Sequence, residues 1–134
     1  MPFTIPIRVY FEDTDTGGVV YHANYLKFLE RARTDWLRAH GILQSQLKAR
    51  RGMVFAIVQC DVRFRAPARL DDELRVSCVL DLRRGASLSF SQRIERAADG
   101  MLLVEAKIRA ASLDAETFRP VPLPEDLIPE STRR

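Results

Sequence analysis

Hydrophobic and polar positions along the chain follow two periods, and the change from one to the other marks the elements. From Ile5 to Glu12 the alternation is strict: Ile5, Ile7, Val9 and Phe11 face one way, Pro6, Arg8, Tyr10 and Glu12 the other. This predicts a half-buried strand, with Pro6 near its start or at a sheet edge. The acidic, glycine-containing stretch Asp13 to Gly18 ends it. From about Ala23 the period becomes helical. Tyr25, Leu29, Ala32 and Trp36 recur at i, i+4, i+7 and i+11, and Leu26, Phe28 and Leu37 widen the stripe. His40-Gly41 reads as a last turn and a glycine stop. A short second helix or irregular linker follows, from Leu43 to Arg51.

Alternation then resumes. Val54, Ala56, Val58, Cys60, Val62 and Phe64 form one face of a long strand, opposed first by Phe55 and Ile57 and then by Gln59, Asp61, Arg63 and Arg65. "APARLDD" connects to a strand carrying Leu74, Val76, Cys78, Leu80 and Leu82, and "RRGA" turns into another with Leu88, Phe90 and Ile94. Asp99-Gly100 signals a hairpin. The last long strand sets Val104, Ala106, Ile108 and Ala110 against Glu105, Lys107 and Arg109. The proline-rich tail "RPVPLPEDLIPE" reads as an extended segment or one short turn. The order strand, long helix, four antiparallel strands predicts an α+β fold, a five-stranded antiparallel sheet cradling one helix. A single sheet of that kind leaves much surface open, so a homodimer or homotetramer is expected.

Composition narrows the possibilities. The 134 residues read as one domain, 1–134, at 46% apolar and 29% charged, with a net charge of only +3. Lys48-Ala49-Arg50-Arg51 is the densest basic run, and charges of both signs interleave elsewhere. That suits a small anionic ligand better than a nucleic acid, which calls for a basic stripe. The start "MPFTIPIRVYF" lacks the pattern of a secretory signal, and no apolar run reaches the roughly 18 residues that span a bilayer. Cys60 and Cys78 fall on apolar sides of strands and are expected to be buried free thiols, in a cytoplasmic protein.

Several chemistries are poorly served. Only His22 and His40 are available, and no G-x-S-x-G stretch accompanies them. "DTDTGG" has Gly17 and Asn24 where a calcium loop needs ligands, and neither zinc spacings nor phosphate-cradling glycine loops occur. No metal is expected. What stands out is a carboxylate, Asp15, in a glycine turn ahead of a helix start. A helix start offers unpaired N–H groups and the positive end of a dipole, which favour developing negative charge. Asp13 reads as a turn or capping residue, and Glu30 as one member of a helix-surface ion pair with Arg31 or Arg33.

The stretch "VYFEDTDTGGVVYHANYLKFLERARTDWLR" resembles the signature of hotdog-fold acyl-CoA thioesterases. The branch is the one containing 4-hydroxybenzoyl-CoA thioesterase and the Tol-Pal-associated acyl-CoA thioesterases. "DVRFRAPARLDDELRV" resembles a later segment of the same branch. The resemblance implies a hotdog fold and hydrolysis of acyl-CoA to free acid and coenzyme A. Coenzyme A is then part of the substrate, and no further cofactor is needed. It implies Asp15 as catalytic carboxylate, general base or nucleophile, and His22 as the residue whose backbone amide polarises the thioester carbonyl. Gly17, Gly18 and Tyr21 shape the turn, Tyr25 and Phe28 line the acyl pocket in part, together with residues from a neighbouring subunit, and Arg63, Arg65, Arg69 and Arg84 are candidates for the coenzyme phosphates. A non-catalytic module binding acyl-CoA or an acyl carrier protein is the alternative. A dehydratase would want a histidine base, whereas this motif centres on an aspartate.

Overall fold

The computed structural model describes residues 2–128. Five strands form one antiparallel sheet: β1 Phe3–Arg8, β2 Met53–Phe64, β3 Glu73–Arg84, β4 Ser87–Arg96 and β5 Leu102–Asp114, in the order β1-β3-β4-β5-β2. Helix α1, His22–Ala39, lies over β1 and β3. Its 18 residues span about 27 Å. The short helix α2, Gln44–Arg51, packs on β2. Gly41, at φ +82°, ends α1 by taking a left-handed conformation that an L side chain rarely adopts.

The helix buries Tyr25, Phe28, Leu29, Ala32, Trp36 and Leu37 as one stripe, while Leu26, expected to widen it, lies on the outer side and is 43% exposed. Against it stand Leu74, Val76, Cys78, Leu80, Leu88, Phe90 and Ile94 from β3 and β4. Burying a side chain the size of Phe28 or Leu29 contributes about 1.5–3 kcal/mol. Polar side chains are buried here as well, Gln92 among them. Gln92 is buried between Phe90 and Ile94; its Nε2 donates to Leu29 O at 3.0 Å and to Ser77 O at 3.2 Å. Its Oε1 accepts from Arg33 Nη1 at 3.0 Å. Burial lowers the Arg33 pKa from the ordinary arginine value, while Cys78, Glu30 and Cys60 oppose the shift.

Two bulges change the expected faces. Ile57 pairs with Ala110 and Gln59 with Arg109, leaving Val58 as an extra residue. Parity inverts there, so Phe55 and Ile57 share the inner face with Cys60, Val62 and Phe64, and Val54, Ala56 and Val58 do not. A second irregularity, between Leu80 and Leu82, turns Arg83 inward instead of Leu82. There Arg83 Nη2 donates to the carbonyls of Leu123 and Pro124 at 3.0 and 2.8 Å, fastening the C-terminal segment. That segment is extended at Pro120, bridged to Leu113, and turns at Pro124–Leu127, as expected.

Three other expectations are corrected. Phe11 leaves the strand for a 3-10 turn, Phe11–Asp13, and is exposed. Cys60 is an exposed thiol, because β2 is the sheet's edge and α1 covers the other side; Cys78 alone is buried, and both are free. Glu30 takes the hydroxyl of Thr34, one helical turn on, in place of an arginine partner.

Candidate active site

The loop between β1 and α1 closes on itself as a small hairpin. Thr14 bridges Val20, Asp15 N donates to Val19 O at 2.9 Å, and Gly18 N donates to Asp15 O at 3.0 Å. Two glycines permit it. Gly18 sits at φ +80°, and a Cβ on Gly17 would stand 3.2 Å from Asp15 Oδ1, the oxygen that accepts the Gly17 amide at 2.8 Å. The carboxylate is thus drawn over the turn by a backbone donor and remains exposed to solvent.

The hairpin rests on the connection between β2 and β3. Val20 N donates to Ala68 O at 2.9 Å, and Val19 bridges Arg69. On the other side Tyr21 N donates to Asp13 O at 2.9 Å, delivering the chain into α1. No side chain caps that helix start. Asn24 N turns back to Tyr21 O at 2.8 Å, and among the described residues the amides of His22 and Ala23 meet no acceptor. An exposed carboxylate and two free helix-start amides therefore sit on adjoining stretches of one loop. Such amides stabilise an oxyanion without reorganising.

Side chains around the helix mouth are aromatic. The His22 ring lies 4.7 Å from Tyr21 and 6.2 Å from Phe64, and Tyr25 lies 5.7 Å from Phe64. His22, Tyr21 and Phe64 are exposed. Tyr25 and Phe28 are core residues, at 4% and 0% exposure, so neither lines an open surface in one protomer. The Tyr25 hydroxyl accepts Ala68 N at 2.9 Å. Burial raises the Tyr25 pKa above the ordinary tyrosine value, the Ala68 bond opposes this, and the charges of Asp72 and Asp15 add to it.

The candidate arginines separate. Arg69 joins the Asp15 hairpin directly through the Val19 bridge. Arg63 and Arg65 lie at the same end of the sheet but on its outer face. Arg65 is held by Glu105 at 2.7 Å, and Arg63 stands 3.9 Å from Asp61. Arg84 is at the far end of β3, eleven residues or about 36 Å from Glu73, and within one protomer it does not join the others. Two polar residues that pattern reading passes over, Asn24 and Gln92, turn out to be structural ties. The parity of β4 was the available signal for Gln92, since it falls on the side of Leu88, Phe90 and Ile94. Among the described residues no three His, Cys, Asp or Glu side chains gather to hold a metal ion.

Residues 9–129 match the thioesterase-like superfamily. The chain is 45% identical over 128 residues to the acyl-CoA thioester hydrolase YbgC of Escherichia coli O157:H7, covering 96% of this chain and 94% of that protein. It is 38% identical to the acyl-CoA thioesterase YbgC of Haemophilus influenzae, covering 93% and 90%. Among solved structures, a probable thioesterase from Bartonella henselae superposes with a TM-score of 0.87 at 33% identity, covering 92% and 100%. A mutant 4-hydroxybenzoyl CoA thioesterase complexed with 4-hydroxybenzoyl CoA gives 0.87 at 26%, covering 93% and 94%.

Proposed function

This chain belongs to the thioesterase-like superfamily, and from that premise we propose that it is an acyl-CoA thioesterase, hydrolysing an acyl-CoA to carboxylic acid and coenzyme A with Asp15 as the catalytic carboxylate. The observation that carries this reading is the pairing of an exposed carboxylate in the Gly17-Gly18 turn with free amides at His22 and Ala23. The thioester oxygen lies toward those amides. Asp15 either takes a proton from the water that attacks the carbonyl carbon or attacks that carbon itself, forming an anhydride that water then opens. The C–S bond breaks in both routes, and the sulfur leaves as a thiolate. A thiol pKa of about 8.5 makes that departure easy without a strong general acid.

A second copy of the chain is part of the same reading. Strand β2 ends the sheet with twelve residues and exposes Ile57, Val58 and Phe64 at 48, 52 and 51%. An unpaired apolar edge of that length invites pairing with another strand. Two free thiols are consistent with a reducing, cytoplasmic setting. Arg69 is the first choice for a coenzyme phosphate, given its place beside the hairpin.

Thiol release from short, long and aromatic acyl-CoAs, with Asp15→Asn alongside the natural chain, tests the proposal. The expected loss of kcat is on the order of 100- to 10,000-fold. Undiminished turnover in Asp15→Asn overturns the role of Asp15. Tight acyl-CoA binding without turnover by the natural chain returns the non-catalytic binding module.

A further inference from the structure

The hairpin that carries Asp15 has no core of its own; it is exposed from Asp15 to Gly18. Its position relative to the His22 amide must come from its ends. Both ends are held by consecutive residues of the first turn of α1. On the incoming side, Asn24 Nδ2 donates to Asp13 Oδ1 at 2.9 Å, two residues before Asp15. On the returning side, the Tyr25 hydroxyl holds Ala68 N at 2.9 Å, and the carbonyl of the same Ala68 takes the amide of Val20. Val19 bridges the next residue, Arg69, and its carbonyl takes the amide of Asp15.

We propose that Asn24 and Tyr25 are positioning residues, a two-point clamp through which the first turn of α1 fixes the Asp15 carboxylate against its own free amides. This rests on the reading of Asp15 as the catalytic carboxylate. The physical reason for such a clamp is that nucleophile and oxyanion donors must share one geometry, and a displacement of about 1 Å can cost about 100-fold in rate. Placing both anchors on the turn that carries the amides makes carboxylate and donors move together. The Tyr25 ring serves the core whether or not its hydroxyl is present, being packed at 6.2 Å edge-on to Phe28. Only the hydroxyl belongs to the clamp, and Tyr25→Phe removes it alone.

Kinetics of Tyr25→Phe and Asn24→Ala on the acyl-CoA panel are the test. Each variant is expected to lower kcat about tenfold with KM held within about twofold. Amide exchange at Gly18 and Val20 is expected to quicken in Tyr25→Phe. In an Asp15→Asn background neither substitution is expected to lower the residual rate further, since no carboxylate is left to position. Natural kcat in either variant, or the same tenfold loss persisting without Asp15, overturns the clamp. If the natural chain turns over no acyl-CoA, the functional reading fails by itself and exchange decides the clamp: faster exchange in the variants supports it, and unchanged protection overturns it.

Discussion

Asn24 and Asp13 meet across the entrance of α1, the side-chain amide of Asn24 donating at 2.9 Å to one carboxylate oxygen of Asp13 while Tyr10 N donates at 2.8 Å to the other. Asp13 is 7% exposed, so both of its oxygens depend on these donors. The neighbouring acid, Asp15, is exposed, and among the described residues its carboxylate holds the Gly17 amide alone. Two aspartates separated by one threonine thus have opposite tasks. One locks the loop, and the other stays open to solvent.

Asp13→Asn is therefore expected to destabilise the protein despite its matching shape. An amide can accept from one donor, but it then turns its own NH2 toward the other. An unmet buried donor costs about 1–3 kcal/mol. Urea unfolding measures this directly, and a midpoint equal to that of the natural chain contradicts it.

Gln92 ties α1 to the sheet through three groups, Leu29 O, Ser77 O and Arg33. Gln92→Leu leaves two carbonyls and a largely desolvated guanidinium without this partner, and is expected to cost about 3 kcal/mol. Adding Arg33→Leu removes the stranded charge. The double variant should be more stable than Gln92→Leu alone, a sign that a thermodynamic cycle reads unambiguously.

Burial pushes the Cys78 thiol from its ordinary value of 9.0 up to about 12, with Arg33 pulling the other way and Asp81 adding to the rise. In the unfolded chain the thiol ionises first, so above pH 9 the unfolded state binds fewer protons than the folded one. Stability is then complete below about pH 9 and declines between pH 9 and 12. Thermal unfolding across that range should fall less steeply in Cys78→Ala than in the natural chain. Equal slopes would show that the thiol does not ionise on unfolding.

The open edge of β2 gives a prediction about assembly. Light scattering should find the natural chain as a dimer or tetramer. Ile57→Lys, which sets a charge on the inward face of that edge, should shift it toward the monomer. A monomeric natural chain would leave the edge unexplained.

Periodicity alone determined a great deal here. The strand, helix and four-strand order, the stop at Gly41 and the buried stripe of α1 apart from Leu26 follow from side-chain spacing, because local backbone geometry sets which positions share a face. The loop motif pointed to Asp15 and the helix mouth for the same reason: glycine placement and helix starts are local matters. Bulges at Val58 and Asp81 escaped it, since an extra residue shows itself only against a partner strand; they exchanged the faces of Val58 and Ile57 and brought Arg83 inward. The exposure of Cys60 likewise depended on strand order, which makes β2 an edge. Tertiary structure also decided that Asp13 and not Asp15 is the buried acid, that Tyr25 spends its hydroxyl on Ala68, and that Arg84 stands apart from Arg69. Each of those outcomes turns on residues far apart in the chain meeting in space, and no pattern read along the chain contains that distance.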